Sequence, residues 1–199
     1  MFLKMEVPSL HIWKALNENI AVIICKYPHN NYQMVRWSWV GNEDRFERGQ
    51  WLVNRKKIKF NHCALSPDGS YFSFFMFDFS NMYNTYTVIS KPPYFTAMYI
   101  QEEEGTWTGG AHFQDTTNII MKPYILMSNK LPSNMKIIDP SPKSKIGGGG
   151  REERIMMPKK LEAIIEGRKI NIRDGRIFAD GVMIADFCGD TFRKIKAPY

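Results

Sequence analysis

Cysteine is scarce in this sequence, and its spacing excludes two common ways of stabilising a small domain. The 199 residues contain three cysteines, Cys25, Cys63 and Cys188, which are an odd number and lie far apart. A disulfide framework needs paired cysteines, and a zinc knuckle needs Cys-x-x-Cys spacing. We therefore expect reduced thiols in a protein that stays inside the cell.

Long apolar runs are also missing, which bears on export and on membrane insertion. Lys4, Glu6, Pro8 and His11 interrupt the first twenty residues, which therefore lack the unbroken apolar stretch of a secretory signal. No segment has the roughly 18 consecutive apolar residues that a membrane-spanning helix requires. The sequence predicts a cytoplasmic protein with no membrane partner.

Histidine is nearly as scarce as cysteine. The four histidines are His11, His29, His62 and His112. No pair has the His-x-His or i, i+4 spacing that places two ligands on one metal ion. Neither a metal site nor a cofactor is predicted.

Basic residues outnumber acidic ones by 27 to 20, and the excess is uneven. Residues 142–199 carry most of it, with 13 basic and 8 acidic residues. Such an excess supports contacts with phosphates, although solvated lysines on an ordinary surface produce it as well. Charge alone therefore leaves nucleic-acid binding as one alternative.

Short runs of β-branched and aromatic residues dominate the first 127 residues and predict a mainly β body of antiparallel sheets. Segments 19–27 and 32–40 are predicted to pair as a hairpin. A Ser-Pro-Asp-Gly turn at residues 66–69 precedes segment 71–79, whose two faces are both apolar. That segment is expected to be a central strand, and the basic segment 55–59 an edge strand.

Composition divides the chain into three regions. Residues 1–127 form the β-rich body, and residues 128–150, which end in four glycines, are predicted to be a linker or a long loop. Residues 151–199 are basic and are expected to contain one short helix and a closing β-meander, either docked on the body or reaching to a partner. Two Asp-Gly pairs, at 174–175 and 180–181, predict the turns of that meander.

The helix is predicted over residues 157–167. Pro158 suits the first turn, Leu161, Ile164 and Ile165 share one face at helical spacing, and Gly167 suits the end.

Strand pairs recur in four quasi-units near residues 19–52, 58–90, 94–127 and 163–195, a spacing close to the roughly 40-residue blade of a propeller. The Ser-Pro-Asp-Gly turn resembles the corresponding turn of WD-repeat and TolB-like propeller blades. It occurs once, and the sequence has no Trp-Asp dipeptide. A propeller-like and a sandwich-like arrangement therefore both stay open.

Three segments resemble a group of uncharacterised short bacterial proteins. They are CALSPDGSYFSFF, TYTVISKPPYFTAMYI and GTWTGGAHF, in that order, within residues 60–113. The resemblance implies a bacterial or phage origin and assigns no activity or site.

A hydrolytic site is one hypothesis for the chemistry. Cys63 would be the nucleophile, His112 the base and Asp115 the carboxylate that orients it. Gly109 and Gly110 would let the backbone approach a ligand closely. A lone strand histidine and a Gly-Gly pair are, however, more often structural, and the sequence favours a non-enzymatic protein.

Binding residues form the leading hypothesis. Exposed tryptophans anchor protein interfaces, and Arg or Lys side chains contact phosphates. We expect a protein-protein interaction module, such as a subunit of a bacterial or phage assembly or a toxin-neutralising partner. A nucleic-acid-binding protein is the alternative. The candidate binding residues are Trp37, Trp39, Trp107, Arg55, Lys57, Lys59, Arg151 and Arg154; the basic C-terminal segment also includes Lys159, Lys160, Arg168 and Lys169.

Overall fold

The computed structural model of the chain describes residues 6–80, 84–103, 105, 109–121, 131–138 and 160–199. Within these residues the protein is mainly β, as predicted, and its strands form four sheets. The sheets follow one another along the sequence, but the quasi-unit expected near residues 94–127 does not form one sheet, because its strand Ala97–Glu103 pairs with Asn84–Ser90 of the preceding unit.

The first two sheets contain the N-terminal strands. In the first sheet, neighbouring strands pair antiparallel in the order β1 (Ser9–Lys14), β2 (Ile20–Tyr27), β3 (Asn31–Val40) and β4 (Glu43–Leu52). The second sheet contains β5 (Lys56–Ile58), β6 (Ala64–Leu65), β7 (Phe72–Asp78), β8 (Asn84–Ser90) and β9 (Ala97–Glu103). Both β5 and β6 pair with β7, which is therefore the central strand that its apolar sequence predicts.

The other two sheets follow in the C-terminal half of the chain. The third contains β10 (His112–Phe113), β11 (Asn118–Ile120) and β12 (Lys136–Ile138), and its β11–β12 pair is parallel. The fourth is an antiparallel meander of β13 (Lys160–Ile165), β14 (Arg168–Arg173), β15 (Arg176–Ala179) and β16 (Val182–Asp186).

Three apolar cores join the sheets face to face. The first core lies between the first and fourth sheets and includes Ile23, Trp37 and Ile177. The second lies between the first and second sheets, where β2 and β3 turn their alternate residues, such as Ile24 and Met34, toward β7. The third core joins the second sheet to the third through Ile89, Tyr99 and Ile119.

The C-terminal strap, residues 187–199, leaves the fourth sheet and crosses the edge of the first. Phe187 is fully buried in the first core, and its carbonyl oxygen accepts a hydrogen bond from Tyr27 Oη at 2.9 Å. Gln50 Nε2 then donates to the Ile195 carbonyl at 2.9 Å. At the far end Tyr199 Oη donates to the Thr96 carbonyl at 3.0 Å. The strap therefore ties the fourth sheet to the first and second.

The helix predicted over residues 157–167 is wrong where the structure describes that segment. Residues Lys160–Ile165 form β13, which pairs with β14 across a tight turn at Glu166 and Gly167, both at positive φ. Ile164 is 78% exposed whereas Ile165 is 7% exposed, so the two side chains point to opposite faces. Alternation with period two, set by burial against the first sheet, overrides the short helical pattern.

Of residues 128–150, which are predicted to be a linker or a long loop, the structure describes 131–138. Lys136–Ile138 form β12, and Met135 before it is buried in the third core. Pairing with β11 satisfies backbone groups of this short strand. Residues 139–150, with the glycine run, lie outside the described residues.

Phe187 is expected to hold the fourth sheet on the first. Replacing Phe187 with Ala should lower the free energy of unfolding by about 3–5 kcal/mol, because the change leaves a cavity in a closed core. The same change at exposed Phe192 should cost about 1 kcal/mol or less. Urea denaturation of both variants measures the difference, and equal losses would contradict the assignment of Phe187 to the core.

His11 should make stability depend on pH. Its ring stacks on Phe60 with centroids 3.6 Å apart, and burial, helped by the charge of Lys26, lowers the pKa of His11 to about 4. The unfolded chain therefore takes up this proton more readily, so its contribution to stability is complete above about pH 6.5 and declines as the pH falls toward 4. His11→Phe should lose less stability than the wild type between about pH 7 and about pH 5.

Urea midpoints at the two pH values measure this effect. His29→Gln, which changes an exposed histidine, serves as the control and should retain the wild-type pH dependence. A wild-type slope in the His11→Phe variant would refute the role of His11.

Candidate functional site

The residues of the hydrolase hypothesis lie on two separate segments, one just before β6 and the other at β10 and the turn that follows it. Cys63 is fully buried in the second core, and its Sγ lies 3.6 Å from the carbonyl oxygen of Lys59. His112 lies on β10 in the third sheet, which packs against the opposite face of the second sheet. Its neighbour Phe113 faces the third core, so the His112 side chain points to the other side of β10.

Asp115 is occupied by its own turn. Its Oδ1 accepts hydrogen bonds from the backbone amides of Thr117 and Asn118, both at 2.8 Å, and its Oδ2 accepts one from Asn118 Nδ2 at 2.6 Å. These bonds lower the pKa of Asp115 to about 2 although the side chain is exposed. The carboxylate closes a turn in the way that aspartate often does.

The two glycines of the same hypothesis serve packing. A Cβ at Gly109 would lie 2.1 Å from the Phe75 ring, so only glycine fits there. The Gly110 amide donates to Thr87 Oγ1 at 2.8 Å. The close backbone approach expected for a ligand is made to the second sheet instead.

Trp37 and Trp39 are not exposed anchors, which corrects their predicted role in binding. They are 1% and 3% exposed, and both indoles lie in the first core. Trp37 Nε1 donates to Asp44 Oδ1 at 2.9 Å, and Trp39 Nε1 donates to Glu166 Oε2 at 3.0 Å. Their polar atoms thus help to join the first and fourth sheets. Trp107 lies outside the described residues.

The predicted basic strand is an edge strand, as expected, but not all of its basic side chains are exposed and unpaired with acidic ones. Arg55 precedes β5 at positive φ, Lys57 is exposed, and Lys59 is half-buried with its amide donating to the Phe75 carbonyl at 3.0 Å. Lys56, between them, forms an ion pair with Asp78 at 3.0 Å.

In the basic C-terminal segment, too, one of the candidate cations is already paired within the protein. Arg168 binds Asp44 with two nitrogens, at 3.2 and 2.7 Å, and this pairing raises the pKa of the arginine. Lys169 is exposed on β14. Arg151, Arg154 and Lys159 lie outside the described residues, as does the side chain of Lys160.

A buried polar cluster between the second and third sheets was not predicted. Tyr99 Oη donates to Gln101 Oε1 at 3.0 Å, Gln101 Nε2 donates to Glu103 Oε1 at 3.2 Å, and Thr87 Oγ1 donates to the same carboxylate oxygen. Burial and the charge of Glu103 raise the pKa of Tyr99. Because polar residues alternate along β8 and β9, the period-two pattern of Thr85, Thr87, Gln101 and Glu103 was the available signal.

The fourth sheet has a second, outward face. Ile164 and Met183 are 78% and 52% exposed there, and Met183 pairs across the sheet with half-buried Phe178. The outer face of the fourth sheet includes Ile164, Lys169, Asn171, Arg173, Arg176, Phe178, Met183 and Asp186. Apolar side chains thus lie next to basic ones on a sheet whose other face is buried in the first core.

A cavity of about 280 Å³ opens near the turn between β3 and β4. It is lined by Ser38, Trp39, Val40, Glu43 and Arg45. Among the described residues, no group of three histidine, cysteine or acidic side chains is placed to hold a metal ion. No helix within the same residues is long and apolar enough to cross a membrane.

Comparison with known proteins adds no assignment. The chain matches no protein-family model, no curated protein and no solved structure.

Reactivity toward a thiol reagent should distinguish the two buried cysteines from the accessible one. Cys25 and Cys63 are fully buried, whereas Cys188 is half-buried and its Sγ lies 3.0 Å from the Asp174 carbonyl. A thiol reagent should label Cys188 first in the native protein, and slowly, because burial and Asp186 raise the pKa of this thiol. Cys63 should react only after unfolding, as measured by mass spectrometry of timed samples.

The Cys188→Ser variant is the control and should show almost no native labelling. Rapid native labelling of Cys63 would support the nucleophile hypothesis.

Proposed function

We propose that this chain is a non-enzymatic module that binds another protein through the outer face of the fourth sheet. The observation that carries the proposal is the exposure of Ile164 and Met183, beside Phe178, on a sheet whose opposite face is already buried. Exposed apolar side chains grouped on one face and flanked by polar ones are typical of interaction surfaces.

The firm attachment of the fourth sheet supports this role. Its inner face contributes Ile170, Ile172 and Ile177 to the first core, and the Arg168–Asp44 pair adds a largely buried link, with Arg168 Nη2 2.7 Å from Asp44 Oδ2. A surface built on a rigid sheet loses little conformational entropy when a partner binds.

Charge indicates the chemistry of the partner. The Arg173 guanidinium lies 4.4 Å from the centre of the Phe178 ring and makes no ion pair with a described carboxylate. The neighbouring Arg176 is already paired with Asp186 at 2.9 Å. A complementary surface would place an apolar patch on Phe178 and Met183 and a carboxylate near Arg173. Such a partner is an acidic protein, and the chain would act as a component of an assembly with it.

Charge reversal on the outer face tests the proposal. The full chain is used as bait in a lysate of the native host, and bound proteins are quantified by mass spectrometry. Ile164→Glu and Met183→Glu should each reduce capture of a stoichiometric partner at least about tenfold, because they place a carboxylate in an apolar contact. Titration of the purified partner should reproduce the loss.

Leu16→Glu and Val40→Glu are matched controls, since they alter equally exposed apolar residues on the first sheet and its turn. Both should capture the partner as the wild type does. Capture that is unaffected by all four changes, reduced equally by all four, or absent with the wild type would overturn the proposal.

A further inference from the structure

A second surface lies on the C-terminal strap, away from the fourth sheet's outer face. Phe192 is 58% exposed and packs edge-on against Trp51 of β4, with ring centroids 6.2 Å apart. Trp51 in turn lies 4.9 Å from the ring of Tyr27. The three rings form a row that leads from the first core to the surface and leaves Phe192 open at its end.

Cations follow directly along the strap. Arg193, Lys194 and Lys196 are exposed, whereas Ile195 between them is half-buried and Ala197 is buried. The chain is thus anchored by its apolar residues and presents charged ones to solvent.

These cations are not neutralised by the carboxylate that precedes them. Arg193, Lys194 and Lys196 form no ion pair with any carboxylate in the described part of the chain. Asp190 is held by Arg48, whose Nε lies 2.8 Å from Asp190 Oδ2. The positive potential of the three side chains is therefore available to an anionic ligand.

Hydrogen bonds between side chains and the backbone fix the position of this surface. Gln50 holds the Ile195 carbonyl, and Tyr199 Oη lies 3.2 Å from the Lys91 amide and 3.0 Å from the Thr96 carbonyl. Lys91, another exposed cation, has its Nζ 5.9 Å from the centre of the Tyr199 ring. An open aromatic ring beside cations on a fixed segment of backbone is the combination that binds bases by stacking and phosphates by charge.

We infer that the C-terminal strap binds single-stranded nucleic acid, with one base stacked on Phe192 and the backbone phosphates contacted by Arg193, Lys194 and Lys196. Stacking requires an unpaired base, so a duplex should bind more weakly. An acidic polypeptide would use the cations without requiring the ring.

Fluorescence anisotropy with labelled oligothymidine and oligouridine of about 15 nucleotides tests the inference. Affinity should fall steeply between about 50 and about 200 mM salt. Phe192→Ala should weaken binding at least about fivefold, because one base loses its stacking partner. Lys194→Ala combined with Lys196→Ala should reduce the slope of log affinity against log salt by about 1.4, the value for two single-strand phosphate contacts.

The combination of Arg45→Ala and Lys136→Ala is the matched control, because it removes the same charge from exposed sites outside the strap. It should leave the salt slope unchanged, and thermal melts should confirm that all variants are folded. Absence of binding at low salt, an equal slope change in the control, or an unchanged affinity in Phe192→Ala would overturn the inference. Equal competition by polyglutamate would also overturn it and assign the strap to an acidic protein.

Discussion

The first sheet buries side chains from both of its faces, and this constraint requires another sheet to pack against each face. Along β2, Ala21, Ile23 and Cys25 face the fourth sheet, whereas Val22 and Ile24 face the second. A strand of this kind cannot leave either face in water without exposing several large apolar side chains. The N-terminal and C-terminal parts of the chain therefore meet on the first sheet.

The contact between the first and fourth sheets contains specific polar interactions as well as apolar packing. Asp44 and Glu166 accept the indole hydrogens of Trp37 and Trp39, and Arg168 binds Asp44 across the same junction. Buried polar groups that are satisfied only in one arrangement fix how the sheets align, since any shift would leave them without partners. Trp37 and Trp39, which would be costly to expose, therefore also help to position the fourth sheet.

The two proposed surfaces follow from what this packing leaves outside. The fourth sheet has one face in the first core and so presents its other face, with Phe178 and Met183, to solvent. The strap must cross the edge of β4 to reach Thr96, which orders a short basic segment that would otherwise be free. In both cases the structural attachment explains why a small surface is held in one conformation, and rigid presentation lowers the entropic cost of binding.

The sequence by itself determined the mainly β fold, the central position of β7, the edge position of β5 and the Asp-Gly turns of the closing meander. Each depends on local alternation or turn chemistry, which a short window of residues contains. The tertiary structure alone decided that residues 160–165 are a strand, that Trp37 and Trp39 are interior, and that Cys63 is buried in the second core. Those features depend on which faces of distant segments are buried together, and no local pattern specifies that pairing.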